Sequence, residues 1–244
     1  MRKKVFLEVK GTSMVCRESF NKNSIFNIFN KNEINKNVTS IEDIKVELKN
    51  RNLIILVHGK EIYVVYMELP RMNRKSLYRA IKEELKNKFK EMDNIMFSYE
   101  IIRYNKHSVE AAVFCMKWHN MKLLEKCNGL GARVKGIVPI QFYMWYCCRT
   151  KIKSENHMFI LVEDDNFYFI AGHKDKIVFN NVFKNMKKQD FLDMFEQFRV
   201  KLSILIPNFK FAHIYFLDFP YKDIIEKLAE TYVCKELKGF SMKS

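Results

Sequence analysis

The sequence predicts a mixed α/β fold of two similar halves, with a small αβ module inserted in the first. Three observations carry that expectation. Residues 158–235 read as three short strands joined by tight turns, then helix, strand, helix and strand. Residues 4–57 start the same order more weakly. Between them, residues 68–139 read strand, helix, strand, strand, helix, strand, a compact module with an extended stretch at each end.

Each element has a local reason. Strands over 4–9 and 13–17 flank a turn at Lys10-Gly11-Thr12. Residues 21–37 are rich in Asn and Lys and suit an exposed loop or sheet edge, with a short strand at 25–29. Ser40 can cap a helix over 41–49, where Glu42 and Asp43 favour the first turn. A buried-type strand over 53–57 turns at His58-Gly59-Lys60 into a strand over 61–69. In the module, Leu77, Ile81, Leu85 and Phe89 line one helical face. Strands over 97–104 and 109–116 follow, and a second helix stops at Asn128-Gly129 before a strand ending at Val138-Pro139. Residues 109–116 are apolar on both faces, which places that strand centrally.

A short helix over 141–148 and a polar linker over 151–156 divide the chain into 1–150, which holds the 68–139 module, and 151–244. In the second part, strands over 158–162, 167–171 and 176–179 are joined at Asp164-Asp165-Asn166 and His173-Lys174-Asp175. A helix over 189–205 turns Phe191, Met194, Phe195, Phe198, Leu202 and Leu205 inward. A strand over 211–217, a helix over 222–229 and a strand over 232–235 complete a ribonuclease-H-like order.

The 244 residues bury a sizeable core, and 48% hydrophobic with 29% charged residues is a globular balance. The net charge of +15 favours polyanions, whether nucleic acid, anionic lipid or acidic partners, and a lysine-rich surface alone also produces it. Val5-Phe6-Leu7 is cut short by Glu8, so no signal peptide is expected; the longest apolar run, 137–148, is too short to span a bilayer. Six cysteines without a CxxC pair fit a reducing compartment and core packing.

Several residues invite chemistry. Glu163-Asp164-Asp165, joined by Glu8, could hold a divalent metal, but Asp and Asn are also the residues of a hairpin turn, and the turn is expected. Cys115, His119 and Cys127 suggest zinc, yet they straddle a strand and a helix with no fourth ligand, so no metal site is expected. His58-Gly59-Lys60 could touch a phosphate, but a hairpin turn is expected. Phe142, Tyr143, Trp145 and Tyr146 could stack bases, but their helical spacing at a junction favours core. No Ser-His-Asp or Cys-His arrangement and no Walker-type loop is present.

Glu68-Leu69-Pro70, Ala80-Ile81, Glu83-Glu84-Leu85, Phe97-Ser98-Tyr99-Glu100, residues 109–113, Asn128-Gly129-Leu130 and Ile137-Val138-Pro139 carry a family resemblance. In these motifs and their order the chain resembles PilM, the actin-like protein of the type IV pilus inner-membrane platform, and equally the cytoplasmic part of the type II secretion L protein. The resemblance implies an actin-like fold of two ribonuclease-H-like halves. Nucleotide-binding members carry Asp-x-Gly after the first strand, where this chain has Glu8-Val9-Lys10 before Gly11, Thr12 and Ser13. Their second phosphate loop is again Asp-x-Gly, against Glu163-Asp164-Asp165-Asn166 here, and their glycine pair after the penultimate strand is Asp218-Phe219-Pro220 here.

Glu8, Gly11, Thr12, Ser13 and Asp164 are therefore expected to be vestigial phosphate-loop positions, with no cofactor, no metal and no enzymatic activity. The implied function is a non-catalytic cytoplasmic scaffold of a type IV pilus, competence pseudopilus or type II secretion platform. It would lie at the inner face of the cell membrane, binding the cytoplasmic N-terminal tail of a bitopic membrane protein and linking it to the assembly ATPase. Tyr66, Leu69, Pro70 and Val138 are the expected tail-binding residues, between the first core and its module. The alternatives are an actin-like ATP-binding protein, or a nucleic-acid-binding protein or nuclease, with nucleic acid the less expected partner.

Overall fold

The computed structural model describes residues 4–11, 13–19, 33–38, 47–89, 91–163 and 165–237. Strands β1 (Lys4–Lys10), β2 (Ser13–Ser19), β3 (Glu33–Val38) and β4 (Asn52–Val57) open the chain. β5 (Tyr63–Pro70), α1 (Arg74–Lys88), β6 (Ile95–Tyr104) and β7 (Ser108–Lys117) follow, then α2 (Met121–Gly129), β8 (Arg133–Pro139) and α3 (Ile140–Cys148). The second part holds β9 (Asn156–Glu163), β10 (Asn166–His173), β11 (Lys176–Lys184), α4 (Phe191–Leu205), β12 (His213–Leu217), α5 (Lys222–Ala229) and β13 (Val233–Leu237).

Two five-stranded sheets have the same order, β3-β2-β1-β4-β8 and β11-β10-β9-β12-β13. In each, the first three strands are antiparallel, and the two added next to the first strand are parallel. β1 is central, and Val5, Phe6 and Leu7 are buried on both faces, as a strand with parallel and antiparallel neighbours requires. Among the described residues β3, from the polar run Glu33–Val38, pairs only with β2 and is an edge strand, in keeping with the loop-or-edge reading. The strand expected at 25–29 and the greater part of the helix expected at 41–49 lie outside the described residues; Glu47 and Leu48 precede a turn and are not helical.

The inserted module is smaller than the sequence reading. Its sheet, in the order β5-β7-β6, starts at Tyr63 and carries α1 on one face. Asn73 caps α1 by accepting from Ser76 N, and Leu77, Ile81 and Leu85 bury one stripe against Met67, Leu69 and Val109. The second helix and the exit strand, read as parts of the module, belong to the first half. β8 pairs in parallel with β4, and α2 sends Leu123 and Cys127 into the same core as Leu53 and Ile55. The reason is topological: a parallel pair needs a crossover, and α2 is the crossover between β4 and β8. The insertion is therefore strand-helix-strand-strand, placed just before that helix.

One apolar core runs through both halves, from Leu7 and Ile55 to Phe159 and Tyr215. α3 joins the halves and is buried almost all round, including Tyr143, Met144, Trp145 and Cys148. A second core, under α4 and α5, is dominated by phenylalanine: Phe169 lies 5.4 Å from Phe191 and 5.6 Å from Phe198 between ring centroids. At the junction His157 is buried, accepts from Trp145 Nε1 at 3.2 Å and lies 3.3 Å from Ser154 O through Nδ1. Burial pushes its pKa down from 6.5 to about 4, with weaker opposing effects from backbone contacts. Gly172 faces it, and a Cβ there would stand 2.2 Å from His157 Nε2. Among the described residues, no helix is long and apolar enough to cross a membrane.

Candidate functional site

The common strand order gives each half a hairpin at the end of its first strand, and the two hairpins meet. In the first half β1 ends at Lys10, which pairs with Ser13 across a turn holding Gly11 at φ 56, a conformation glycine adopts without strain. In the second half β9 ends at Glu163, which pairs with Asn166 across a turn holding Asp165 at φ 37. Lys10 and Glu163 thus occupy matching positions, and their side chains touch: Lys10 Nζ donates to Glu163 Oε1 at 2.8 Å.

Three more charged or polar side chains complete the cluster. His58 follows β4, held by its N–H to Val9 O at 3.1 Å, and its Nδ1 lies 2.6 Å from Glu163 Oε2. Its Nε2 lies 3.9 Å from Glu8 Oε2, and Arg17 Nε lies 3.0 Å from Glu8 Oε1. Glu8 and Glu163 are buried, as is the His58 side chain, while Lys10 is about one third exposed at 30%. The Arg17–Glu8 ion pair and the His58–Glu163 contact are close but not well-aligned hydrogen bonds. Burial raises the Glu8 pKa above the usual carboxylate value; Arg17 and His58 oppose that shift, Glu163 adds to it and Lys10 opposes it. Beside the cluster Gly59 N donates to Tyr168 Oη at 2.9 Å, a further bond between the halves.

Two acids are therefore compensated by Arg17 and Lys10, with an imidazole between them. A bound phosphate needs positive charge and free backbone N–H groups, and at this corner the buried groups include two carboxylates, Glu8 and Glu163. Where the sequence has Asp218-Phe219-Pro220 in place of the expected glycine pair, Asp218 sits at φ 53, and Phe219 is buried 4.9 Å from Phe216 and 5.0 Å from Phe191 between ring centroids.

Of the expected vestigial positions, Glu8 lies in the cluster, Gly11 in the turn and Ser13 beside it, its hydroxyl donating to Lys10 O. Thr12 and Asp164 lie outside the described residues. His58, read as a hairpin turn, is instead a buried bridge between halves. Arg17 went unremarked in the sequence, although β1–β2 register sets it opposite Phe6, on the same face as Glu8 and two pairs along. Cys115 lies in the module core and Cys127 in the first core, with His119 exposed, so those three do not converge. Among the described residues no group of three or more His, Cys, Asp or Glu is arranged to hold a metal. Tyr143 and Trp145 are buried, leaving Tyr146 exposed under Arg149 at 4.0 Å.

The four residues expected to bind a tail are not gathered together. Leu69 packs in the module core, Val138 packs against the first core and Pro70 is exposed at the end of β5. Tyr66 lines a groove of about 520 Å³ between the module and the second half, with Ile102, Arg103, Leu205 and Phe209 on its walls. Its hydroxyl donates to Val178 O across that junction.

No protein-family model matches the chain, and no curated protein sequence matches it either. Solved structures do. A PilM–PilN type IV pilus biogenesis complex aligns over 99% of this chain and 90% of that chain, at 8% identity and TM-score 0.65. A Bacteroides thetaiotaomicron protein of actin-like ATPase fold and unknown function aligns over 97% and 91%, at 11% identity and TM-score 0.56. The cytoplasmic domain of EpsL, an inner-membrane component of the Vibrio cholerae type II secretion system, aligns over 90% and 84%, at 10% identity and TM-score 0.52. The chain has the actin-like fold of these proteins, as its sequence predicts.

Proposed function

We propose that the protein is a non-catalytic scaffold of a pilus or secretion assembly platform. The observation that supports this reading best is the contact of Lys10 and His58 with Glu163. Matching hairpins of the two halves, which would face a nucleotide from either side, are bound to each other. Mg-ATP would have to separate a buried ion-pair cluster and settle beside two carboxylates, a cost of several kcal/mol before any gain. The partner would be the cytoplasmic tail of a membrane-anchored protein, placing the chain at the inner face of the membrane. The solved PilM structure is a complex with PilN. The Tyr66 groove, apolar along Leu205 and Phe209, is where we place the tail.

Calorimetry with Mg-ATP tests the catalytic side. We expect no saturable binding up to about 1 mM, equivalent to roughly −4 kcal/mol, and tighter binding would favour an ATPase. Capture of the full chain on the immobilised cytoplasmic N-terminus of a bitopic membrane protein encoded nearby tests the partner. Leu205→Asp should weaken capture, and unchanged capture would place the tail elsewhere. Metal-dependent cleavage of DNA would instead favour a nuclease.

A further inference from the structure

We propose that the outer side of the inserted module is a second docking surface, which takes an acidic, extended segment of another protein as a strand beside β6. This surface uses other residues than the Tyr66 groove and does not depend on what that groove binds.

The module sheet has the order β5-β7-β6, so β6 is an edge. An edge strand offers main-chain N–H and C=O groups to an incoming strand. Lys176 closes one end of that edge by donating to Ile101 O at 2.7 Å. Upstream of it, among the described residues, no strand pairs with the outer side of β6. α1 covers β5 and β7 with its buried stripe but covers β6 only in part, since Ile95, Phe97, Tyr99 and Ile101 remain half-buried.

What α1 leaves open is a groove of about 1200 Å³ between the helix and β6. Its wall is aromatic: Tyr78 of α1 stacks on Phe97 of β6 at 4.8 Å and 21° and is still 47% exposed. Tyr104, 61% exposed, stands at the far end with Arg71 over its ring. Apolar side chains from alternate residues of an added strand would meet this wall.

The rim selects the sign of the partner. Arg74, Lys75, Arg79 and Lys82 of α1, with Lys176 of β11, face the groove against one carboxylate, Glu100. Among the described residues, none of the four α1 cations forms an ion pair. Like charges gathered around an apolar cleft are left uncompensated until an anionic partner arrives, and they also speed its approach. Nucleic acid and anionic lipid share that sign. An apolar groove running along a free strand edge matches a polypeptide backbone, whereas lipid headgroups meet a flat face.

The test uses the full chain and a fluorescent synthetic peptide alternating glutamate and valine, read by anisotropy. A second peptide, N-methylated at alternate residues, keeps the charge but cannot extend a sheet. We expect the first peptide to bind, the second to bind about tenfold more weakly or worse, and Arg79→Glu with Lys82→Glu to weaken the first similarly. Both variant positions are exposed on a helix, so folding should persist, as circular dichroism would verify. The proposal is overturned if the N-methylated peptide binds equally, or if charge reversal leaves binding unchanged. It is overturned too if phosphatidylglycerol vesicles or a single-stranded oligonucleotide bind more tightly than the peptide and lose binding in the same variant.

Discussion

The two halves share a strand order and differ in what happens after the fourth strand. In the first, residues 58–120 separate β4 from its crossover helix α2 and hold the whole module; in the second, residues 218–221 separate β12 from α5. The first sheet absorbs this difference because the module's strands form a separate three-stranded sheet and leave the five-stranded order unchanged. The cores diverge as well. The second is a phenylalanine cluster closed by α4 and α5, whereas the first ends in a buried set of charges around Glu8. A shared topology therefore fixes where the hairpins meet and leaves open what meets there.

The largest test of that comparison is Glu163→Ala. It removes at once the acceptor for Lys10 and the partner of the buried His58 side chain. We expect a loss of about 3–5 kcal/mol, seen as a fall in Tm of roughly 10 °C. A negligible change would mean that the apolar core alone holds the halves together. Lys10→Ala in the same background should cost less than it does alone, because the two groups are coupled.

Gly172→Ala probes the junction around His157. The new Cβ would sit 2.2 Å from His157, whose ring is held between Trp145 and Tyr215. We expect roughly 3 kcal/mol of destabilisation in denaturant unfolding. Equal stability would show that the junction around His157 yields more readily than its packing implies.

Acid separates the halves by sign. His157 is protonated near pH 6.5 when unfolded and only near about 4 when folded. Its contribution is complete above 6.5 and shrinks as pH falls towards 4, by up to about 3 kcal/mol. Glu8 runs the other way: its folded pKa is raised, so its contribution is full below its unfolded value and declines as pH rises through the folded one. Unfolding of His157→Gln should therefore lose part of the acid sensitivity between pH 6.5 and 4. Identical profiles for variant and parent would move that sensitivity elsewhere.

How much was legible in the sequence follows from the range of each interaction. The α1 stripe and the inward face of α4 repeat every three or four residues; Leu77, Ile81 and Leu85, and Phe191, Phe195, Phe198 and Leu202, are buried as read, whereas Met194 and Phe89 are only half-buried and Leu205, at the end of α4, is exposed. The limits of the module were not legible, because Leu123 and Cys127 mark an inner face of α2 without saying which sheet lies beneath it. The site was half legible. Lys10 and Glu163 stood out as departures from a phosphate loop, but 153 residues separate them, and only the docking of two sheets makes them partners. His58 looked like an ordinary turn because what defines it is a carboxylate from the other half.

A chain that folds two sheets of one pattern risks joining the wrong copies, within itself or between neighbours emerging from adjacent ribosomes. The matching corners of these sheets carry a cation in one case and an anion in the other. A first half meeting another first half would set Lys10 against Lys10, and a second meeting a second would set Glu163 against Glu163. Unlike halves bring Lys10 against Glu163, so this pair works as a joint with a plug on one piece and a socket on the other.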